Sequence, residues 1–377
     1  MTIRVAVLLQ RYLPLLGGME RQTHDQVRIL QAQGFEMHVI TRRHAGLPAF
    51  ERMDGVTVHR MPALGPKVSA SLSYTVTALP LLRRLHPDII HAHELLSAAT
   101  TAVAAHHLWG WPLILTPHRS GTIGDVHRLH QKFLGAYRMR AQIQAGSHFI
   151  AISEEIAHEL REKGVAPQRI HYIPNGVDTQ RFQPVASEER ATLRQRLNLP
   201  EGLLVIFSGR LDPEKRVAHL VDIWPQVRRV HPKANLLILG EGSQRQALEA
   251  AAGEGIHFLG YVQNVPEYLA AADVFVLPSI AEGISGAMLE AMSSGLPAVV
   301  TRVGAAPEVI SDGNTGLLIP PDDPPALLAA LLRLLGDPSL REVLGTAARR
   351  HIVQHYAIEH TAAQLAQVYR EVANAQG

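Results

Sequence analysis

Short apolar runs, almost unbroken by polar residues, recur along this chain and are separated by longer stretches with helical spacing. "IRVAVLL" (3–9), "EMHVIT" (36–41), "GVTVHRM" (55–61), "PDIIHAH" (87–93), "WPLILTP" (111–117) and "SHFIAIS" (147–153) form a first series, and "RIHYIPNGVD" (169–178) closes it as a short strand entering a turn. A strand that is apolar all round must be covered on both faces, which is the situation in a parallel sheet flanked by helices. The series then starts again with "LLVIFSG" (203–209), "ANLLILG" (234–240), "GIHFLG" (255–260), "ADVFVLPS" (272–279), "PAVVTRVG" (297–304) and "TGLLIPP" (315–321), alternating with helices such as 283–294 and 324–335. Single cores stop growing near ~250–300 residues, so 377 residues accommodate two. The expected architecture is two doubly wound, Rossmann-like α/β domains facing across a cleft. Residues 1–185 form the first and 186–358 the second, with the polar, proline-bounded stretch 182–202 as a linker plus one helix. A final helix, 359–374, follows, and packing on the first domain is one option for it.

Several classes are excluded early. The chain has no cysteine, so no disulfide framework, Cys-based metal site or thiol nucleophile is available. No stretch approaches the ~20 apolar residues of a membrane span, and the N-terminal apolar run ends too soon at Gln10 and Arg11 to read as a secretory signal. A cytoplasmic protein is expected, with no nucleic-acid partner. Residues 1–185 carry 20 Lys and Arg against 13 Asp and Glu, whereas residues 186–377 carry 16 against 21. A basic half joined to an acidic half points to different ligands for the two.

Ligands of doubly wound sheets sit at the carboxyl ends of strands, near helix N-termini, so the loops at those ends matter most. "FSGRLDPEKR" (207–216) leaves the first strand of the second half. Arg210 and Lys215 there suit one anion, Arg as a bidentate donor and Lys as a point charge. The alternative is a solvated loop in which Asp212 and Glu214 are the local partners. "LPSIAEGISGAMLEAMSSGLP" (277–297) leaves a later strand. Ser285 is an N-cap candidate, Gly286 leaves room for a ligand, and Gly295 suits the helix stop. Glu282 and Glu290 are each able to accept hydrogen bonds from a pair of hydroxyls. In the first half, Gly17 and Gly18 open the first helix, where a double glycine permits positive φ and close backbone approach. His118 lies at a strand's carboxyl end. No Gly-x-Gly-x-x-Gly or Gly-Lys-Ser/Thr motif is present, which disfavours a dehydrogenase or a P-loop enzyme.

Taken in order, "GGMER", "TPH", "IPNGVDTQRFQP", "GRLDPEKR" and "EGISGAMLEAMSSGLPAVVTRVGAAPEVI" resemble the retaining family 4, or group 1, glycosyltransferases of the GT-B fold, over residues 3 to about 335. Glu282 and Glu290 match the Glu-x7-Glu spacing of that family. The resemblance implies that Arg210 and Lys215 hold the donor diphosphate, that Glu290 binds the ribose and that Glu282 binds the transferred sugar. It further implies that the turn Gly283, Ile284, Ser285, Gly286 and Ala287 meets sugar and phosphate, and that the base lies against Tyr261 and Val262. Gly17 and Gly18 would approach the diphosphate, and His118 the sugar. Where the family usually has a second glycine after Gly304, this chain has Ala305.

The function so implied is transfer of a sugar from a nucleotide-diphosphate sugar to an acceptor hydroxyl with retention, the sugar nucleotide being co-substrate. Arg210, Lys215, Glu282 and His118 are the catalytic candidates. No Asp-x-Asp is present to hold a divalent metal, and a metal-independent reaction without a cofactor is expected. The basic stretch 119–140, the apolar tip "RYLPLL" (11–16) and an amphipathic candidate helix at 72–88 fit a carbohydrate or lipid-linked acceptor. They also fit a peripheral contact of the first domain with the inner face of a membrane. Two alternatives compete: a sugar-nucleotide epimerase or hydrolase of the same fold, and a non-catalytic nucleotide- or carbohydrate-binding protein.

Overall fold

Each apolar run becomes a strand. The computed structural model, which describes residues 2–15, 17–121 and 124–375, contains β1 (Arg4–Leu8), β2 (Glu36–Arg42), β3 (Phe50–Met53), β4 (Val56–Met61), β5 (Ile89–His93), β6 (Leu113–Thr116), β7 (His148–Ala151) and β8 (Ile170–Tyr172). They form one sheet in the order β3-β4-β2-β1-β5-β6-β7-β8. All neighbours are parallel except the β3–β4 hairpin, which turns through Asp54 and Gly55, both at positive φ, as a two-residue Asp-Gly hairpin loop requires. β3 was not foreseen, because its exposed "FERM" has no apolar run to mark it.

A second sheet holds β9 (Leu204–Ser208), β10 (Asn235–Leu239), β11 (Ile256–Gly260), β12 (Val274–Leu277), β13 (Ala298–Thr301) and β14 (Leu317–Ile319). Its order is β11-β10-β9-β12-β13-β14, and every pairing is parallel. In both sheets the strand order reverses beside the first strand, between β1 and β5 and between β9 and β12. Such a reversal opens a crevice at the carboxyl edge, where the flanking loops diverge.

The chain divides into two units, Met1–Gly176 with Ile358–Gly377, and Val177–Ala357. The crossing lies nine residues before the expected boundary. The helix expected within stretch 182–202 forms as Ser187–Arg196 and belongs to the second unit, where Arg190 and Arg194 pair with Asp273 at 2.7 and 2.8 Å. The terminal helix Ile358–Asn374 lies in the first unit. Its Leu365, Tyr369 and Val372 join the core of Val5, Val7, Leu30, Phe35 and Val39, with the Phe35 and Tyr369 rings edge to face at 5.7 Å. Tyr369 also meets the buried His91 ring, oxygen to Nδ1 at 2.6 Å.

β5 runs into Glu94, whose φ of 66° is left-handed. This is a costly conformation for a side-chain-bearing residue, and one that clusters at functional sites. Its backbone N–H donates to the Thr116 carbonyl and its carboxylate accepts from Gln10 Nε2 at 3.0 Å, so the ends of β1, β5 and β6 are tied together. Burial, reinforced by Asp125, pushes the Glu94 pKa up to about 7. Between the usual carboxylate range and pH 7 the folded chain therefore holds a proton that the unfolded chain has lost, and this group's contribution to stability falls as pH rises through that window. Glu94→Gln removes that contribution. Its stability relative to wild type should rise from pH 5 to pH 8 in denaturant titrations, and a difference that does not vary with pH would refute the assignment.

Candidate functional site

The second unit gathers its polar groups on the loops that leave β9, β11 and β12. At the exit of β9 the backbones come very close. Gly240 has φ of 134°, and a Cβ there would lie 1.9 Å from the Gly209 carbonyl oxygen, so only glycine fits. The chain then passes Arg210, Leu211 and Asp212 into a single turn over Pro213–Lys215, with Lys215 N–H donating to the Asp212 carbonyl.

Loop 278–285, from β12, is joined to that turn by a backbone hydrogen bond from Ile280 N–H to the Glu214 carbonyl at 2.9 Å. Its far side rests on Gly304, at φ of 53°, where a Cβ would meet the Glu282 and Gly283 carbonyl oxygens at 2.4 and 2.6 Å. Ala305 N–H donates to the Gly283 carbonyl at 3.0 Å. The neighbour of Gly304 thus contributes through its backbone, and Ala305 in place of glycine leaves that contact intact.

These constraints bring Lys215 and Glu282 together, Nζ to Oε1 at 2.5 Å, both side chains largely buried. Lys215 is thereby placed at the switch point beside the start of helix Gly286–Ser293, which Ser285 caps by accepting from Met288 N–H. A Cβ on Gly286 would meet nothing within 4 Å, so the space beside Gly286 at the helix start is open. Ile284 is buried, Ala287 is half-buried, and Glu290 lies half-buried one turn further along the same helix. Tyr261 and Val262 follow β11, with Tyr261 exposed.

Arg210 is more exposed and does not touch Lys215 or Glu282. It pairs with Asp212 and, through Nη2, with Glu214 at 2.9 Å. The local pairing weighed from sequence is thus the one observed. Asp212 also accepts from Ser243 N–H and Oγ at 3.2 and 2.9 Å. Burial alone would raise its pKa, but the Ser243 bonds and Arg210 outweigh it and hold Asp212 below the usual carboxylate range.

In the first unit, the two glycines are used differently from what their sequence suggested. Neither takes positive φ. Gly17 is extended, with φ of −156°, and its missing Cβ makes room for the Glu20 carboxylate, which it would meet at 2.2 Å, while Gly18 faces open space. His118 leaves β6 with its backbone N–H bonded to the buried Asp125 carboxylate at 2.6 Å. Its Nε2 lies 2.9 Å from His93 Nδ1, and His93 stacks on His91 at 4.4 Å. Burial pushes the His93 pKa down to about 3. Burial, then His93 and Arg119, holds His118 well below the ordinary imidazole value. His118 is therefore a neutral hydrogen-bonding group and not a cation. His93, Asp125 and Glu94 escaped the sequence reading. The available signal was His-Ala-His in a wholly buried strand, since residues two apart in a strand share one face.

What such edges bind in known proteins bears on the assignment. Residues 16–181 match the family model described as Glycosyltransferase Family 4, and residues 202–337 the one described as Glycosyl transferases group 1. The chain is 30% identical to the D-inositol 3-phosphate glycosyltransferase of Jonesia denitrificans, covering 97% of this chain and 95% of that protein. Among solved structures it superposes on sucrose-phosphate synthase from Thermosynechococcus elongatus with a TM-score of 0.85 at 23% identity, covering 99% of this chain and 100% of that one. It also superposes on Anabaena HepE in complex with UDP-glucose with a TM-score of 0.81 at 19% identity, covering 98% and 100%. The two parallel sheets are those of the GT-B fold, and the chain belongs to the group 1, family 4 glycosyltransferases.

Proposed function

We propose that this glycosyltransferase moves a sugar from a nucleoside diphosphate to an acceptor hydroxyl with retention at the anomeric carbon, and that the second unit holds the donor. The observation that supports this most directly is the Lys215–Glu282 contact beside an open helix start at the switch point. Lys215, Arg210 and the amino end of helix Gly286–Ser293 meet the diphosphate. Glu282 accepts from hydroxyls of the transferred sugar, Glu290 from the ribose, and the base lies against Tyr261 and Val262.

In the reaction the acceptor oxygen forms a bond to C1 as the bond from C1 to the phosphate oxygen breaks, and the acceptor's proton passes to the departing phosphate on the same face. Charge builds on the leaving phosphate, so preorganised cations are the main catalytic term, and Arg210, Lys215 and the helix dipole supply it without a metal ion. When a diphosphate arrives, Lys215 exchanges a carboxylate for phosphate oxygens, and Glu282 is released towards the sugar. HepE was solved with UDP-glucose, and a uridine nucleotide is accordingly the first donor to test.

In thermal shifts with UDP, GDP, ADP, CDP and dTDP, one diphosphate should stabilise wild type, by ~2.7 kcal/mol at 100 times its dissociation constant, and Arg210→Ala little. Lys215→Ala and Arg210→Ala should each lower turnover by roughly 10²–10³. A panel that shifts nothing overturns the donor assignment, and an inverted product anomer by NMR overturns retention.

A peripheral contact with an anionic membrane on the cytoplasmic side, with a lipid-linked acceptor, extends this reading. It is supported by one face of helix Lys67–Leu85 and the turn before it, where Leu64, Val68, Leu72 and Val76 recur every four residues and are each more than half exposed. Arg83 and Arg84 close that helix, and exposed Phe133 and Tyr137 lie between Lys132 and Arg140 elsewhere in the same unit. Apolar side chains beside basic ones suit an anionic interface. No described helix is long and apolar enough to cross a membrane. Wild type should float with phosphatidylglycerol vesicles at low salt and Leu72→Glu with Val76→Glu should not; equal flotation would exclude this face.

A further inference from the structure

Arg216, the residue after Lys215, has φ of 50°, and Asp322 has φ of 52°. Both lie in the left-handed region, which is costly for a residue with a side chain and persists only where the surroundings hold it. The two strained residues come from different parts of the second unit, yet their side chains meet. Arg216 Nε donates to Asp322 Oδ1 at 2.7 Å and Nη2 donates to Oδ2 at 3.3 Å, a two-point grip that fixes direction as well as distance. His219, in the first turn of helix Val217–Val230, lies 3.8 Å from the same Oδ1. The bond from Arg216 holds the Asp322 carboxyl below the usual carboxylate range.

Each end of the grip is anchored. Arg216 ends the turn Pro213–Lys215 and begins helix Val217–Val230, so its left-handed backbone is where the chain changes direction. Its Nη1 donates to the Pro213 carbonyl at 3.3 Å, which lays one guanidinium across the whole turn. On the other side, Asp322 follows β14 and precedes Asp323, which caps helix Pro324–Gly336 by accepting from Ala326 N–H at 2.9 Å. The helices behind the two residues pack on each other. The two side chains are 33% and 51% exposed, and an ion pair at that exposure contributes little to global stability. Backbone strain at both of its ends is explained by position rather than by stability.

The turn so held carries Lys215. A lysine is a point charge on a flexible stem, so where its ammonium sits depends on where its backbone is held. Glu282 supplies the end-point, Nζ to Oε1 at 2.5 Å. Once Glu282 turns to a ligand, the turn's backbone is what aims the ammonium. A cation aimed in advance costs no reorganisation when charge develops beside it. We propose that Arg216 and Asp322 are positioning residues for Lys215: their paired side chains clamp turn Pro213–Lys215 to the loop after β14 and keep the ammonium in place after Glu282 releases it. That the anion then met is a donor diphosphate rests on the transferase reading above; that the pair positions Lys215 does not.

The test uses the full-length chain and its Asp322→Asn, Arg216→Gly and Arg216→Lys variants. Asparagine and glycine accept the left-handed backbone, so the first two remove the grip without adding strain, and unfolding midpoints check that each variant folds. The lysines are Lys67, Lys132, Lys163, Lys215 and Lys233, few enough for acetylation by limiting acetic anhydride to be followed at each by mass spectrometry. Lys215 should be acetylated roughly fivefold faster in Asp322→Asn and Arg216→Gly, the factor that matches an ion pair of surface strength. Lys163 and Lys233 should not change, and Arg216→Lys should lie between. Inorganic pyrophosphate, titrated by calorimetry, should bind Asp322→Asn and Arg216→Gly more weakly by a similar factor. In a Lys215→Ala background, Asp322→Asn should change pyrophosphate affinity no further, the mark of a residue that acts through Lys215. Unchanged acetylation, undiminished pyrophosphate affinity in Asp322→Asn, or the same loss with Lys215 absent overturns the proposal. Faster acetylation of Lys215 in a protein that binds no pyrophosphate leaves the pair standing and counts against the transferase reading alone.

Discussion

A single backbone hydrogen bond, from Ile280 N–H to the Glu214 carbonyl, ties the loop leaving β9 to the loop leaving β12. The Lys215–Glu282 ion pair sits beside it. The two strands run side by side, but their helices leave to opposite faces, so nothing in the sheet itself keeps the loops in register beyond the strand ends. The bond supplies that register, and the carbonyls of Glu282 and Gly283 pressed on Gly304 supply the opposite wall. A largely buried ion pair is weak evidence for stability, because desolvating both charges offsets their attraction. Its worth here is positional: it holds an ammonium and a carboxylate within one ligand's reach before any ligand arrives.

The first unit solves the same problem with neutral groups. Its switch point is bridged by Gln10 and Glu94, and the end of β6 is held by Asp125 beneath the His118 N–H. Burial keeps the histidines of β5 neutral, so they stack without repelling each other. An imidazole held this way offers directional hydrogen bonding without adding a charge.

Sequence made the sheets legible because a doubly covered parallel strand must be continuously apolar, and every such run became a strand. It failed where tertiary context overrides pattern. β3 has no apolar run. Helix Ser187–Arg196 was expected within 182–202, but not its attachment to the second unit, which comes from the Arg190 and Arg194 pairs with Asp273 and leaves little apolar pattern. The loops carrying Arg210, Lys215 and Glu282 were legible as strand ends with charges, yet which charges meet was not, since Arg210 pairs within its own loop while Lys215 reaches across. Gly17 illustrates the same limit. A glycine advertises room, and whether backbone, ligand or a neighbouring carboxylate uses it depends on a side chain three residues on.

The two units present cations to solvent in opposite ways, and the difference has a physical consequence. In the second unit Arg210 and Lys215 already have carboxylate partners, so an anion binding there would exchange one charged contact for another. Asp212 is prepared for that exchange: on losing Arg210 it keeps two hydrogen bonds from Ser243 and remains a satisfied anion. Discrimination then favours a ligand with more charge than one carboxylate, because a weaker anion gains nothing by the swap. In the first unit Arg42 and Arg138 lean on hydroxyls, which bind a guanidinium less strongly than a carboxylate does.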